Sequence, residues 1–252
     1  GASPHFYEFT PRQLAGLSGT ETIFAIGYGL DDWVLKAAEA IEGVGIVVVD
    51  NGIELRENAE DEHGDEEEHE EDEHGDEEEH EEHGPINPHY WLHFGNARAI
   101  ADTVAEELSR IDSANAETYR ANAEAYKAVL LAEEQLLKER IVLLTTKDLL
   151  TFHDSWYYFA DNFGLNIVGT FEPSAGREPT PRYLSDLRDK VREHGVSVIF
   201  SEPQYSNAAF TPFVNDNNLG FAVLDPIGGT NEIPSFVELM RYNVNTALEA
   251  LK

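Results

Sequence analysis

The second half of the chain alternates short apolar runs with longer amphipathic stretches, and this alternation restricts the fold more than any other feature. The short runs have the length and residue types of buried strands, and the stretches between them have helical spacing. Strands that alternate with helices form parallel sheets joined by right-handed crossovers. The predicted strands are 149–152, 166–169, 196–201 and 221–224, and the predicted helices are 155–163, 181–194, 207–217 and 235–251.

The first half carries the same two patterns and ends in an unusually long helical stretch. Residues 23–27 and 45–50 have the apolar, β-branched character of strands, while 31–41 and 96–111 have helical spacing. From 113 to 140 the sequence contains neither Gly nor Pro. A helix over these residues would be about 40 Å long at 1.5 Å per residue, which is enough to span two lobes.

Residues 60–82 interrupt this pattern with an abrupt change in composition. The sequence EDEHGDEEEHE occupies 60–70 and is repeated letter for letter at 71–81. The segment contains 17 carboxylates, no basic residue and no apolar residue. Because nothing in it can be buried in a core, we predict a disordered loop.

The overall charge excludes several classes of partner. The chain has 49 acidic and 17 basic residues, a formal net charge of -32. Such a surface repels nucleic acid and anionic membranes and favours cations.

There is no cysteine, so disulfides and thiolate metal sites are excluded. No apolar run approaches the roughly 20 residues that cross a bilayer. The sequence begins with Gly1 and shows no signal peptide, so we expect the natural N-terminus to lie upstream.

Three histidines and one aspartate are candidate metal ligands. His5, His89 and His153 each lie in a predicted loop beside aromatic residues or proline, and Asp225 follows a predicted strand. Imidazole nitrogen and carboxylate oxygen are suitable ligands for zinc, which favours four ligands in a tetrahedron. Spacing alone leaves other interpretations open. Each histidine has the alternative of a surface or core-edge position, and Asp225 that of a turn or helix cap before Pro226.

Five segments carry a resemblance to a known family. They are GASPHFYEFTP (1–11), NPHYWL (87–92), TFHDSWYYFADNFGLNIVGTFEP (151–173), IFSEPQYS (199–206) and LDPIGG (224–229). In this order they resemble the metal-binding solute-binding proteins of ABC transporters, and above all the zinc-uptake branch. The resemblance covers nearly the whole chain apart from the acidic segment.

The resemblance implies an α/β fold of two parallel-sheet lobes, linked by one long rigid helix, with a metal site in the cleft between the lobes. We expect an N-terminal lobe over 1–112, including a disordered loop at about 56–84, a linking helix over 113–141 and a C-terminal lobe over 142–252. The family has a first strand and helix upstream of the first segment, so we expect the first lobe to be truncated.

The resemblance also implies the ligands. The family's G-x-x-P-H, D-P-H-x-W, F-H-D and D-P motifs place metal ligands on His5, His89, His153 and Asp225. Relatives that carry manganese tend to have Glu at the third position, so His153 favours Zn(II) over Mn(II). Two residues depart from the family pattern: Asn87 stands where the family has Asp, and His93 stands where an Asp usually follows Trp-Leu.

The resemblance implies extracytoplasmic capture of Zn(II) and its delivery to the permease of an ABC importer, with an ATPase behind it, and we expect the protein to be a monomer. The expected location is periplasmic or extracellular, with or without a lipid anchor on the outer face of the cytoplasmic membrane. Histidines with ordinary pKa values are largely neutral at pH 7 and protonated near pH 5, so zinc affinity should fall in acid.

The zinc branch of the family also has a His- and acid-rich loop before the D-P-H motif. Such a segment is either a solvated linker or a low-affinity zinc collector. The collector interpretation assigns weak metal binding to His63, His69, His74, His80 and His83.

Three other functions stay open. A manganese-binding protein of the same family would use the same cleft. A zinc hydrolase would need three protein ligands, a bound water and a general base, for which Glu202 is the candidate. A cation buffer or adhesin would act through the acidic segment alone.

Overall fold

The computed structural model describes residues 3–38, 41, 43–58, 85–173, 176, 178–228 and 233–252. Most of the predicted loop at 56–84 lies outside the described residues, and so do all five histidines of the proposed collector. The helices are α1 (Pro11–Gly16), α2 (Asp32–Ala38), α3 (Phe94–Ile111), α4 (Ala116–Ile141), α5 (Tyr157–Phe163), α6 (Pro181–Glu193), α7 (Thr211–Asp216) and α8 (Phe236–Ala250). The strands are β1 (Thr22–Ala25), β2 (Gly45–Val48), β3 (Asp148–Thr151), β4 (Asn166–Thr170), β5 (Val198–Ser201) and β6 (Gly220–Val223).

The C-terminal sheet contains four parallel strands in the order β4-β3-β5-β6. Its two inner strands are fully buried at Leu149, Leu150 and Ile199, as expected for a parallel sheet covered by helices on both faces. One face packs against α4, α5 and α8 through a cluster that includes Leu137 and Met240. The other face packs against α6 and α7 through a second buried cluster, which contains Leu187, Val191, Phe210 and Phe213.

The N-terminal sheet pairs β1 with β2 in parallel, with Thr22 opposite Gly45 and Ala25 opposite Val48. A small buried cluster beneath it contains Val49, Tyr90 and Tyr158. Tyr158 belongs to α5, so the two sheets are connected through this cluster. The prediction of an α/β fold with two parallel-sheet lobes is therefore confirmed.

Helix α4 has 26 residues and is about 39 Å long at 1.5 Å per residue. Its residues Leu130, Leu137 and Ile141 are almost completely buried, and ion pairs connect it to its neighbours. Arg98 of α3 lies 2.6 Å from Glu134, and Arg241 of α8 lies 2.6 Å from Glu133. The helix lies within the range 113–141 predicted for the linking helix, while its linking role and the lobe boundaries stay predictions. Among the helices in the described ranges, none is both long and apolar enough to cross a membrane.

Candidate metal centre

The three predicted histidines lie at the ends of short structural elements. His5 belongs to a 3-10 turn at Pro4–Phe6, and His89 immediately precedes a second one at Tyr90–Leu92. His153 follows β3 and precedes a third turn. The carboxyl ends of strands in parallel sheets are where ligands usually bind, and His153 lies at such an end.

The three imidazole rings converge on one point. Nε2 of His5 lies 3.2 Å from Nε2 of His89, and the ring centroids of His89 and His153 are 4.9 Å apart. One ring nitrogen from each histidine lies within 4.8 Å of the other two. A tetrahedral zinc ion, about 2.0–2.1 Å from each nitrogen, would hold these atoms roughly 3.3 Å apart. The spacing therefore needs little adjustment to enclose one ion.

Hydrogen bonds determine which nitrogen two of the rings present to the centre. Nδ1 of His89 lies 3.1 Å from the side-chain oxygen of Asn87, and Nδ1 of His153 lies 3.0 Å from Oε1 of Glu202. Both oxygens are acceptors, so each Nδ1 carries a proton and donates it. Nε2 of each ring then faces the centre, where its lone pair can bind a metal once any proton on it is lost.

Glu202 is a shared acceptor beneath the site. The residue is only 2% exposed, and besides His153 its Oε1 accepts hydrogen bonds from the Ser155 hydroxyl at 2.6 Å and the Trp156 indole at 2.9 Å. Three donors on one oxygen compensate the cost of burying a carboxylate. The same contacts hold His153 in a single orientation.

The carboxylate of Glu202 also changes the titration of His153. Burial by itself lowers the pKa of His153, but the charge of Glu202 and its hydrogen bond act more strongly and raise the pKa to about 9. Asp154 and Glu172 contribute in the same direction. The expectation of a largely neutral histidine at pH 7 is therefore wrong for His153, which must lose a proton when it binds a metal.

Asp225 does not join the three histidines. Among the described acidic side chains, none has an oxygen within 4.8 Å of all three ring nitrogens. Asp225 is completely buried after β6, and its Oδ1 accepts hydrogen bonds from the backbone N–H groups of Ile227 at 3.1 Å and Gly228 at 2.8 Å. Oδ1 of Asp225 thus takes part in the turn that the sequence left open as an alternative, and Asp225 as the fourth ligand stays a prediction.

The histidines line a small cavity. The volume available to the centre of a water-sized sphere is about 10 Å³, which accommodates about one water molecule. A single ion fits such a space. The other lining residues are Ser3, Pro4, Trp91, Glu202, Gln204, Tyr205, Pro226 and Ile227. The segment IFSEPQYS marks Glu202 and Gln204 in the sequence, but no spacing rule indicates that they face the histidines.

Comparison with known proteins identifies the family. The family model described as "ZnuA: Zinc-uptake complex component A periplasmic" matches residues 1–250, almost the whole chain. The chain belongs to the ZnuA family.

Individual relatives of this ZnuA-family chain carry names for different metals. It is 24% identical over 257 residues to the manganese-binding lipoprotein MntA of Halalkalibacterium halodurans, covering 100% of this chain and 78% of that protein. It is 28% identical over 256 residues to the high-affinity zinc uptake system protein ZnuA of Bacillus subtilis, covering 98% and 77%. A crystal structure of ZnuA superposes with a TM-score of 0.79 at 27% identity, covering 100% of this chain and 88% of that one.

Membership of the ZnuA family gives the general function. The chain is the metal-binding component of an uptake system whose family is periplasmic, and this family consists of solute-binding proteins of metal transport. The metal itself is not decided by membership, because relatives are named for both zinc and manganese.

The two departures from the family pattern each have a structural explanation. Asn87 donates from Nδ2 to the backbone oxygen of Asp154 at 3.0 Å, while its Oδ1 accepts from His89. A carboxylate could accept but could not donate. His93 caps α3, where its Nδ1 accepts from the backbone N–H of Gly95 at 3.0 Å. Burial lowers the pKa of His93 and so favours the neutral ring. Its Nδ1 accepts the backbone hydrogen bond that the Asp carboxylate of the family pattern could accept at this helix start.

Proposed function

We propose that this chain captures Zn(II) outside the cytoplasm and delivers it to an ABC importer. The observation that carries the proposal is the convergence of His5, His89 and His153, each of which places a ring nitrogen within 4.8 Å of the others. All three donors are nitrogen, which suits zinc better than manganese, for which oxygen donors are preferred. The family description and the zinc-uptake relatives support the same metal.

The proposed partners follow from the role of a carrier. A captured ion has to pass to a membrane permease, which an ATPase drives. The carrier acts as a monomer in the periplasm or outside the cell, or on the outer face of the cytoplasmic membrane. A lipid anchor is part of this proposal only by analogy with the relative named as a lipoprotein. Uptake of zinc by cells that lack this protein, with and without its gene restored, tests the delivery step.

Competitive titration of zinc and manganese against the wild type and His153→Glu tests the metal. The change replaces an imidazole by the carboxylate that manganese-carrying relatives tend to have at this position. We expect the wild type to bind zinc far more tightly than manganese, and His153→Glu to narrow the difference because oxygen is a better donor for manganese. A wild type that prefers manganese would overturn the assignment and favour the manganese alternative.

The zinc hydrolase alternative has less support. It requires Glu202 to act as a base on a metal-bound water. Oε1 of Glu202 instead accepts hydrogen bonds from His153, Ser155 and Trp156. These contacts favour a role for Glu202 in orienting His153.

We also propose that the acidic segment collects zinc loosely near the cleft, through His63, His69, His74, His80 and His83. Several weak sites on one chain raise the local concentration of the ion. Deletion of residues 60–82 should lower the total number of bound zinc ions and leave one tight site. The collector proposal fails if both the total and the affinity of the tight site stay unchanged, and the segment is then a solvated linker.

A further inference from the structure

We propose that Trp33 is a positioning residue for His5, which holds the turn that carries this histidine and thereby sets how readily the bound ion leaves. This role rests on the proposed function, because it assumes that His5, His89 and His153 bind the ion. Trp33 is not among the residues that line the cavity, so it acts on the ion only through His5.

His5 is the least enclosed of the three imidazoles. His89 and His153 are 3% and 2% exposed, whereas His5 is only half-buried. The turn at Pro4–Phe6 contains no buried residue, and neither does α1, which follows it in the chain. The hydrophobic core therefore does little to fix this segment, and the position of His5 depends on specific contacts with the rest of the protein.

Trp33 contacts the chain on both sides of His5. Its indole Nε1 donates a hydrogen bond of 3.0 Å to the backbone oxygen of Pro4, the residue immediately before His5. Beyond the turn, the rings of Tyr7 and Phe9 pack edge-on against the indole, with centroids 4.8 Å and 4.9 Å away. Such edge-to-face pairs are favourable beyond the area that they bury. One side chain thus holds the segment just before and just after the ligand.

Trp33 is itself fixed to the N-terminal sheet. It lies in α2, a helix of seven residues of which three are buried. Just before α2, the carboxylate of Asp31, which is 8% exposed, accepts hydrogen bonds from the backbone N–H groups of Ile26 at 2.6 Å and Gly27 at 2.7 Å. Because these groups follow β1, the start of α2 is bonded to the end of that strand. The indole is therefore a rigid support for the more exposed turn.

The other two tryptophans lie against the other two imidazoles. Trp156 donates its indole N–H to Glu202, which also accepts from His153. The indole of Trp91 packs against His89, with ring centroids 5.3 Å apart. The three tryptophans of the chain are thus distributed one to each imidazole, which supports a role in holding the ligands rather than in general packing.

Loosening of the turn should act mainly on the release of the ion. His5 belongs to the most exposed of the three ligand-bearing segments, so it is the imidazole that can leave the ion with the least disturbance of the core. Loss of the Trp33 hydrogen bond should therefore raise the rate of zinc dissociation. The rate of zinc association should change much less, because the two enclosed imidazoles stay in place.

A double-mutant cycle of Trp33→Phe and His5→Ala in the full chain provides the test. Phe keeps a ring against Tyr7 and Phe9 but cannot donate to the Pro4 oxygen. Loss of one hydrogen bond between neutral groups changes an equilibrium constant by about two- to tenfold, so zinc affinity should fall and zinc release should accelerate by about that factor. In the His5→Ala background the same change should have no effect, because the ligand that the indole positions is already absent.

Chelator competition measures the affinity, and stopped-flow transfer of zinc to a fluorescent chelator measures the release rate. Leu35→Ala is the matched control, since Leu35 lies on the same helix and is 40% exposed. It should bind and release zinc as the wild type does. Circular dichroism of each variant establishes that it is folded.

Hydrogen exchange of the wild-type indole groups is a second measurement that needs no variant. Three tryptophans give three indole N–H signals in a nitrogen-15 NMR spectrum, and sequential assignment identifies each. Zinc should slow the exchange of the Trp33 signal, because an ion bound to His5 keeps the turn against the indole. Trp156 is completely buried and should be strongly protected with or without zinc.

Three results would overturn this role of Trp33 while the proposed function stands. One is an equal loss of affinity from Trp33→Phe in both backgrounds, since Trp33 would then stabilise the protein without acting through His5. The second is unchanged affinity and release in Trp33→Phe alone. The third is an exchange rate of the Trp33 indole that zinc does not alter. Failure of the proposed function itself would look different, because His5→Ala would then bind zinc as tightly as the wild type does.

Discussion

Asn87 connects the His89 imidazole to the backbone next to His153 through a single amide group. Its oxygen accepts from Nδ1 of His89, and its NH₂ group donates to the backbone oxygen of Asp154, the residue after His153. The oxygen also accepts from the backbone N–H of His89 at 3.1 Å. Because a correctly oriented ligand has less freedom to lose on binding, these contacts should strengthen metal binding although Asn87 does not touch the ion.

Replacing Asn87 by Ala should therefore weaken zinc binding by about 10- to 100-fold, the usual range for groups that orient a ligand. Chelator competition measures the change. Asn166→Ala is the matched control, since Asn166 is an exposed residue bonded to Asp148 at 2.8 Å and does not line the cavity. This variant should bind zinc as the wild type does. Equal affinities for the two variants would contradict the orienting role.

The raised pKa of His153 predicts how binding depends on pH. Below its pKa of about 9 the ring carries a second proton, which zinc has to displace from Nε2. Zinc affinity should therefore rise by about tenfold per pH unit between pH 7 and pH 8, with release of about one proton per ion. Calorimetry in buffers of different ionisation enthalpy measures the proton release. An affinity that is flat over this interval would mean that His153 is already neutral.

At the scale of elements, α4 is connected to its neighbours by carboxylates that are themselves buried. Glu133 and Glu134 are each 6% exposed. Arg241 contacts both oxygens of Glu133 at 2.6 Å, and Glu134 accepts from Arg98 at 2.6 Å and Lys138 at 2.7 Å. A buried carboxylate that loses its partner is destabilising, so these pairs should help to keep the long helix fixed against α3 and α8.

Arg241→Ala leaves the Glu133 carboxylate buried without its bidentate partner. We expect a loss of about 2 kcal/mol in the free energy of unfolding, which is less than for a fully buried pair because the arginine side chain is 42% exposed. Urea denaturation measures it. Arg192→Ala removes an exposed contact of 3.9 Å to Asp189 and should change stability by less than about 0.5 kcal/mol. Similar losses in both variants would contradict the stated role of the pair.

The elements were largely predictable from sequence because their patterns are local. The run at 149–152 and the Gly- and Pro-free stretch at 113–140 predict β3 and α4 to within three residues at either end. Helix α1 was not predicted, although Thr10 and Gln13 form a capping box at its start. That motif is short, and the six-residue helix has no buried face to produce an apolar period.

The site was less predictable because it depends on contacts between distant residues. His5 and His89 are 84 positions apart, so their meeting was inferred from the family resemblance. The turn that engages Asp225 and the amide of Gln204 in the cavity follow from backbone positions that no local pattern specifies. No local pattern predicts the contact between Glu202 and His153 either, because Glu202 follows β5 and His153 follows β3, the neighbouring strand of the sheet.

At the scale of the whole molecule, the site lies where the two halves of the chain meet. The Tyr158 hydroxyl of α5 accepts from the backbone N–H of Arg56 at 2.7 Å and donates to the backbone oxygen of Asn87 at 3.2 Å. His5 and His89 come from the first half of the chain, and His153 from the second. We therefore expect capture of an ion to depend on the relative position of the two sheets, which the Tyr158 contacts help to maintain.

The convergence of the three imidazoles on one ion is the central claim, and zinc titration of the wild type, His153→Ala and His194→Ala tests it most directly. His194 is the matched control, because its Nδ1 pairs with Asp148 at 2.8 Å on a part of the surface outside the cavity. The account predicts one tight zinc site in the wild type and in His194→Ala, and a loss of affinity of more than about 100-fold in His153→Ala. A tight site that survives unchanged in His153→Ala would contradict it.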